Sequence, residues 1–108
     1  MPRYLLGEFE KAILLTLVRL RENAYGVTVR NELAERLGRD VAIGAVYTTL
    51  DRLEQKGYVS SEMGSPTPER GGRAKRFFRI EAPGAEALSR SRDADRALAV
   101  RLEPALGR

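Results

Sequence analysis

The spacing of hydrophobic positions changes along the chain in a fixed order. In GEFEKAILLTLVRL, Phe9, Ile13, Leu17 and Leu20 recur at helical spacing and predict a first helix over about residues 8–21. At ~100° per residue, Leu14, Leu15 and Val18 fall on the far side of that helix. A helix apolar on two sides is either central to a core or shared between its own domain and a partner. After the polar turn RENA, the stretch YGVTVRNELAERLG predicts a second helix over about residues 25–37. Val27, Leu33, Ala34 and Leu37 form its apolar side, Glu32 and Glu35 its wet side, and Gly38 suits the left-handed stop. VAIGAVYTTLDRLEQKG predicts a third helix over residues 43–56, with Val46, Leu50 and Leu53 on one face and Gly57 as its stop. The two helices are separated by only about five residues, as in a helix-turn-helix pair.

The period then drops to two. YVSSEM and KRFFRI alternate Tyr, Val, Phe and Ile with polar residues and predict the two strands of a hairpin. Between them, GSPTPERGGRA is too rich in Pro and Gly for helix or tight pairing. A last helix starts near Pro83, which suits a first helical turn, and ends at Pro104. Ala85, Leu88, Leu98 and Leu102 can share a broad stripe on it, diluted by Arg92 and Asp95. The expected fold class is mainly α with a small β-hairpin. It is a winged helix-turn-helix over residues 1–82, with an added C-terminal helix over residues 83–108 in the same compact unit.

Composition narrows what such a body can do. A chain of 108 residues is one small domain, for which oligomerisation adds useful buried surface. It has no Cys and no His, which removes disulfides, His-dependent triads and His zinc sites together. No acid–base pair stands out, so an enzyme is not expected, and neither a metal nor a cofactor is. No apolar run reaches the ~18 residues of a membrane span. The apolar N-terminal stretch is interrupted by Glu8, Glu10 and Lys11 and lacks a small-residue cleavage site, so the expected location is cytoplasmic.

The net charge of +4 is modest, but its distribution is not. Arg70, Arg73, Lys75, Arg76 and Arg79 fall within residues 70–80 with no acid among them. A basic loop beside a helix of small outward residues fits a polyanionic partner. Opposite Val46, Leu50 and Leu53, the third helix presents Gly44, Ala45, Thr48, Arg52 and Gln55, with Tyr47 and Thr49 on the flanks. Gly44 and Ala45 permit close approach, Thr48 and Thr49 can bond phosphate or a base edge, and Arg52 can pair with phosphate or guanine. Asp51 and Glu54 are expected toward the side or back, since anions facing phosphate would repel. Arg73, Lys75 and Arg76 are the phosphate-contact candidates of the wing, over residues 64–76, and Gly71 and Gly72 give it its bend.

Together these segments resemble the PadR family of bacterial winged-helix transcriptional regulators. The likeness lies in LLGEFEKAILLTLVRL, AYGVTVRNEL, GAVYTTLDRLEQKGYV, PERGGRAKRFFRI and APGAEAL, nearly the whole chain. Tyr25 and Gly26 match the family's Tyr-Gly at helix two; Gly44 and Tyr47 match Gly-x-x-Tyr in the recognition helix. Leu50, Leu53, Glu54 and Gly57 match its ending, and Gly71, Gly72, Arg73, Phe77 and Phe78 match the wing and its paired aromatics. Two departures are Ala42 and Ala45, where the family often has Ser or Thr. Ala42 cannot cap the helix, so Asp40 or a rearranged turn takes that role, and Ala45 removes a hydroxyl contact. The paired aromatics are Phe rather than Tyr.

The resemblance implies a homodimer built on helix one and the C-terminal dimerisation helix, with Leu14, Leu15, Val18, Leu88, Leu98 and Leu102 at the interface. It implies repression from a pseudo-palindromic DNA operator, one recognition helix per half-site. A small aromatic or drug-like effector near the interface is a property of some members, although this sequence marks no pocket for one. A winged-helix adaptor that binds protein instead of DNA is the alternative function, and an RNA-binding winged helix a third, without an aromatic stacking platform in its favour.

Overall fold

The computed structural model describes residues 6–64 and 74–100. Three helices, α1 (Glu8–Leu20), α2 (Gly26–Leu37) and α3 (Ile43–Gln55), precede the hairpin β1 (Val59–Met63) and β2 (Arg76–Ile80), and α4 (Ala82–Ala99) follows. A single 3-10 turn, Arg21–Asn23, links α1 to α2. The order is the expected one: a mainly helical winged helix-turn-helix with a C-terminal helix.

Helix α1 is the centre of the packing. It touches α2, α3, β2 and α4, so Ile13 and Leu14 are both fully enclosed and Leu17 nearly so. Its start is fixed by Glu10, whose carboxylate accepts hydrogen bonds from the Gly7 amide and the Lys56 ammonium, each at 2.9 Å. Burial pushes the Glu10 carboxyl up, but Lys56 and the Gly7 amide outweigh it and hold it below the ordinary value. The first turn of α1 is thereby tied to the last of α3.

The stops of α2 and α3 follow expectation. Gly38 and Gly57 are left-handed, and the amides of Arg39 and Tyr58 reach back to the carbonyls of Ala34 and Leu53. The apolar side of α2 does not. Gly26, Val29 and Leu33 form its buried stripe, whereas Val27 and Leu37 face outward. Val27 lies ~100° around the helix from Gly26 and ~200° from Val29, so burying that pair turns it to solvent. The start of α2 is closed by Thr28, whose hydroxyl oxygen accepts from the Tyr25 amide at 2.9 Å.

The hairpin is antiparallel, with Val59 opposite Ile80 and Met63 opposite Arg76. Its outer edge is covered by the segment entering α2: the Phe78 amide donates to the Ala24 carbonyl at 2.8 Å, and Tyr25 bridges to Phe77. Wing and helix-turn-helix are therefore one hydrogen-bonded unit. Phe78 is buried in the common core with Val46, Leu50 and Leu53.

Helix α4 buries Gly84, Ala87, Leu88 and Ser91, while Ala85 and Leu98 are exposed, so the broad stripe expected from Ala85 to Leu102 does not form within residues 82–100. Leu102 and Pro104 lie outside the described residues. Beyond Ser91 the helix is held to α1 by the Lys11–Asp95 ion pair at 2.7 Å. At its start, Gly84 sits directly on the chain: a methyl group there would lie 2.2 Å from the Tyr58 carbonyl oxygen, an atom of the backbone. That same oxygen accepts from the Glu81 amide at 2.8 Å. Gly84→Ala is expected to destabilise the fold by about 1–3 kcal/mol in urea unfolding, because backbone must move. An unchanged midpoint would show that α4 does not dock this closely.

Candidate nucleic-acid interface

Helix α3 turns Val46, Thr49, Leu50 and Leu53 inward. Gly44, Ala45, Tyr47, Thr48 and Arg52 are exposed, as expected. Thr49 is not available on this surface. It is 5% exposed, because it stands three residues after Val46 and one before Leu50, within the buried stripe. The strip of outward side chains thus begins with two of the smallest residues and continues into a hydroxyl and a guanidinium.

The approach to α3 is a rearranged turn. Ala42 occupies the N-cap without a side-chain bond. Asp40 does not cap; its carboxylate lies 3.6 Å from Arg30. Arg30 also donates from Nε to the Val41 carbonyl at 2.8 Å, which fixes the turn from α2. An uncapped helix start directs backbone N–H donors and the positive end of the helix dipole outward.

Tyr47 is 38% exposed and leans across α3 onto α2. A methyl group on Gly26 would lie 2.1 Å from its hydroxyl oxygen and 2.2 Å from the ring carbon bearing it. The Tyr-Gly pair at the start of α2 thus has a packing reason: Gly26 is the floor on which the Tyr47 ring rests.

At the base of the wing, Lys75 is exposed with its ammonium 5.1 Å from the Tyr25 ring centroid. Tyr25 in turn meets Phe77 edge-on, with ring centroids 5.3 Å apart. Arg76 is not the free cation that the sequence predicts. Its guanidinium is paired with Asp51 at 3.3 Å and Glu54 at 2.5 Å, and its Nε donates to the Ser61 hydroxyl at 3.0 Å. Asp51 and Glu54 are on the wing-facing side of α3, where Arg76 can reach both. Arg70, Gly71, Gly72 and Arg73 lie outside the described residues. Among the described residues, neither Arg52 nor Lys75 takes part in an ion pair.

Of the six residues expected at a dimer contact, Leu102 lies outside the described residues and the other five divide. Leu14 and Leu88 are buried within the single chain, Leu14 completely, because α1 has neighbours on four sides and Leu88 lies in the docked half of α4. Leu15, Val18 and Leu98 are exposed, Val18 at 51% and Leu98 at 83%. A cavity of about 670 Å³, which the sequence did not signal, opens between the end of α1 and the hairpin. Leu17, Val18, Phe77, Phe78 and Ile80 line its apolar part. The side chains involved come from segments some sixty residues apart, so no local pattern could have marked it. Among the described residues there is no group of acids suited to a metal ion and no helix long and apolar enough to cross a membrane.

Residues 13–90 match the sequence profile of the transcriptional regulator PadR-like family, from the middle of α1 through the docked half of α4. The chain belongs to the PadR-like family. It is therefore a transcriptional regulator and not an enzyme. Solved structures agree in fold. A PadR family transcriptional regulator from Eggerthella lenta is 25% identical, with 92% of this chain and 86% of that one covered at a TM-score of 0.69. RosR from H. salinarum is 27% identical over 89% of this chain and 79% of its own, at 0.68. The PadR-like regulator from Bacillus cereus is only 18% identical but covers 91% and 90% at 0.73. No curated protein sequence gives a significant match. In this chain the Gly26–Tyr47 contact lies where α2 and α3 meet. Gly26→Ala is expected to cost about 1–3 kcal/mol in urea unfolding, and much less in a Tyr47→Ala background where the ring is gone. Equal losses in both backgrounds would contradict that contact.

Proposed function

We propose that this regulator is a sequence-specific DNA-binding repressor. A homodimer binds a pseudo-palindromic operator, with α3 of each copy in the major groove and the basic wing on the backbone or minor groove. One observation carries the assignment: α3 exposes Gly44, Ala45, Thr48 and Arg52, the wing base that Arg76 ties to α3 exposes Lys75, and neither Arg52 nor Lys75 is in an ion pair among the described residues. Small residues allow the helix to enter a groove, while Thr48 and Arg52 supply the donors that read base edges or grip phosphate. Lys75, together with Arg70 and Arg73 in sequence, supplies sequence-independent attraction.

Dimerisation is supported by the exposed apolar residues Leu15, Val18 and Leu98, which a small chain gains by covering. Leu14 and Leu88 do not belong to that face. The C-terminal helix supplies the remaining contact, and the protein acts in the cytoplasm. A small aromatic or drug-like effector would have the cavity beside Val18 and Phe77 available to it. The alternative, an adaptor that binds protein, has no use for small residues and cations free of ion pairs on α3 and the wing base.

Anisotropy titration against DNA from upstream of its own gene should give saturable binding that weakens steeply with salt. Lys75→Ala should weaken all sequences alike and lower the salt slope by about one. Arg52→Ala and Thr48→Ala should instead change the preference among sequences. Sedimentation should give a dimer both free and bound. A folded dimer that binds no promoter fragment would favour the adaptor, and a monomer would remove the two-fold operator.

A further inference from the structure

Arg76 sits where the wing leaves the body, in the last strand pair before the loop, opposite Met63. Its side chain does not project from there. It lies over the ring of Phe78, with the guanidinium carbon 4.8 Å from the ring centroid, and Phe78 belongs to the buried core. From that seat its three nitrogens serve three partners. One reaches Asp51, one Glu54 and one Ser61, so a single fork joins α3, β1 and β2. Glu54 also accepts from that same Ser61 hydroxyl, whose oxygen lies 2.9 and 3.1 Å from its two carboxylate oxygens.

We propose that Arg76 is a positioning residue: it latches the root of the wing to α3 and offsets part of the charge of Asp51 and Glu54, setting the angle between the two elements that approach DNA. This rests on the DNA-binding assignment above. Two carboxylates one helical turn apart on α3 would repel phosphate, and one guanidinium lying across both offsets one of their two charges. A lysine cannot replace it, because a point charge lacks the planar fork that meets two carboxylates and a hydroxyl at once. Lys75, the adjacent residue, takes its direction from the same strand, and its carbonyl accepts from the Gly64 amide at 2.7 Å to close the wing base.

Glu54→Gln removes a charge that repels phosphate whatever Arg76 does, so the variants that discriminate in DNA binding are those at Arg76. The latch predicts about tenfold weaker binding by Arg76→Ala with the salt slope unchanged. Arg76→Lys should fall between wild type and Arg76→Ala at the same slope, whereas a phosphate contact would survive that change almost intact. A slope lowered by about one in Arg76→Ala, or wild-type affinity in Arg76→Lys, overturns the latch. The full-length wild type, both single variants and the Arg76→Ala/Glu54→Gln double variant are also compared in urea without DNA. Non-additive midpoints support the latch and additive ones overturn it. Should the wild type bind no DNA, the DNA-binding assignment falls while this coupling still decides whether the latch exists.

Discussion

The arrangement depends on how one face of α3 is buried. Val46, Leu50 and Leu53 have no exposed surface, and Thr49 closes the stripe between them. Each such side chain contributes roughly 1.5–3 kcal/mol by leaving water, so the rotation of α3 about its axis is not free. Once that rotation is set, the ~100° step decides the rest. Gly44, Ala45, Thr48 and Arg52 must face out, and Asp51 and Glu54 must face the wing. The surface offered to a partner is the complement of the core rather than a separate design.

Charge pairing then determines which cations remain for a partner. Lys56, at the end of α3, is taken by Glu10 of α1, and Arg76 is taken by Asp51 and Glu54. Both pairs join α3 to another element, so they orient it as well as neutralise it. Hydrogen-bonded pairs that are partly buried lose more when broken than they contribute when formed. They act as registers between elements more than as sources of stability. Arg52 and Lys75 are among the cations in no ion pair within the described residues, and they lie on the surfaces proposed to meet DNA.

Element order was legible in the sequence because each element had a local cause. The two left-handed glycines, the change of period at Tyr58 and the Pro near the start of α4 required no tertiary information. The family likeness across residues 13–90 rested on the spacing of the same residues. What escaped depended on neighbours. Leu14 looked like a second face because periodicity shows that a helix has two apolar sides, not that four elements surround it. The hydroxyl of Thr49 suggests a contact from the flank of α3, although its spacing from Val46 and Leu50 puts it inside. Arg76 was counted with the wing's phosphate contacts because its acidic partners lie 22 and 25 residues earlier. Gly84 carried no sequence signal, since its role is the closeness of a carbonyl on another segment.

The central claim is that the outward strip of α3 and the base of the wing form the DNA-contacting surface. Amide chemical-shift mapping of the intact protein, titrated with DNA from upstream of its own gene, tests this residue by residue. The largest changes should fall on Gly44, Ala45, Thr48, Arg52 and Lys75, with Leu15 and Val18 unaffected. Changes centred on the cavity between α1 and the hairpin, with α3 silent, would contradict it.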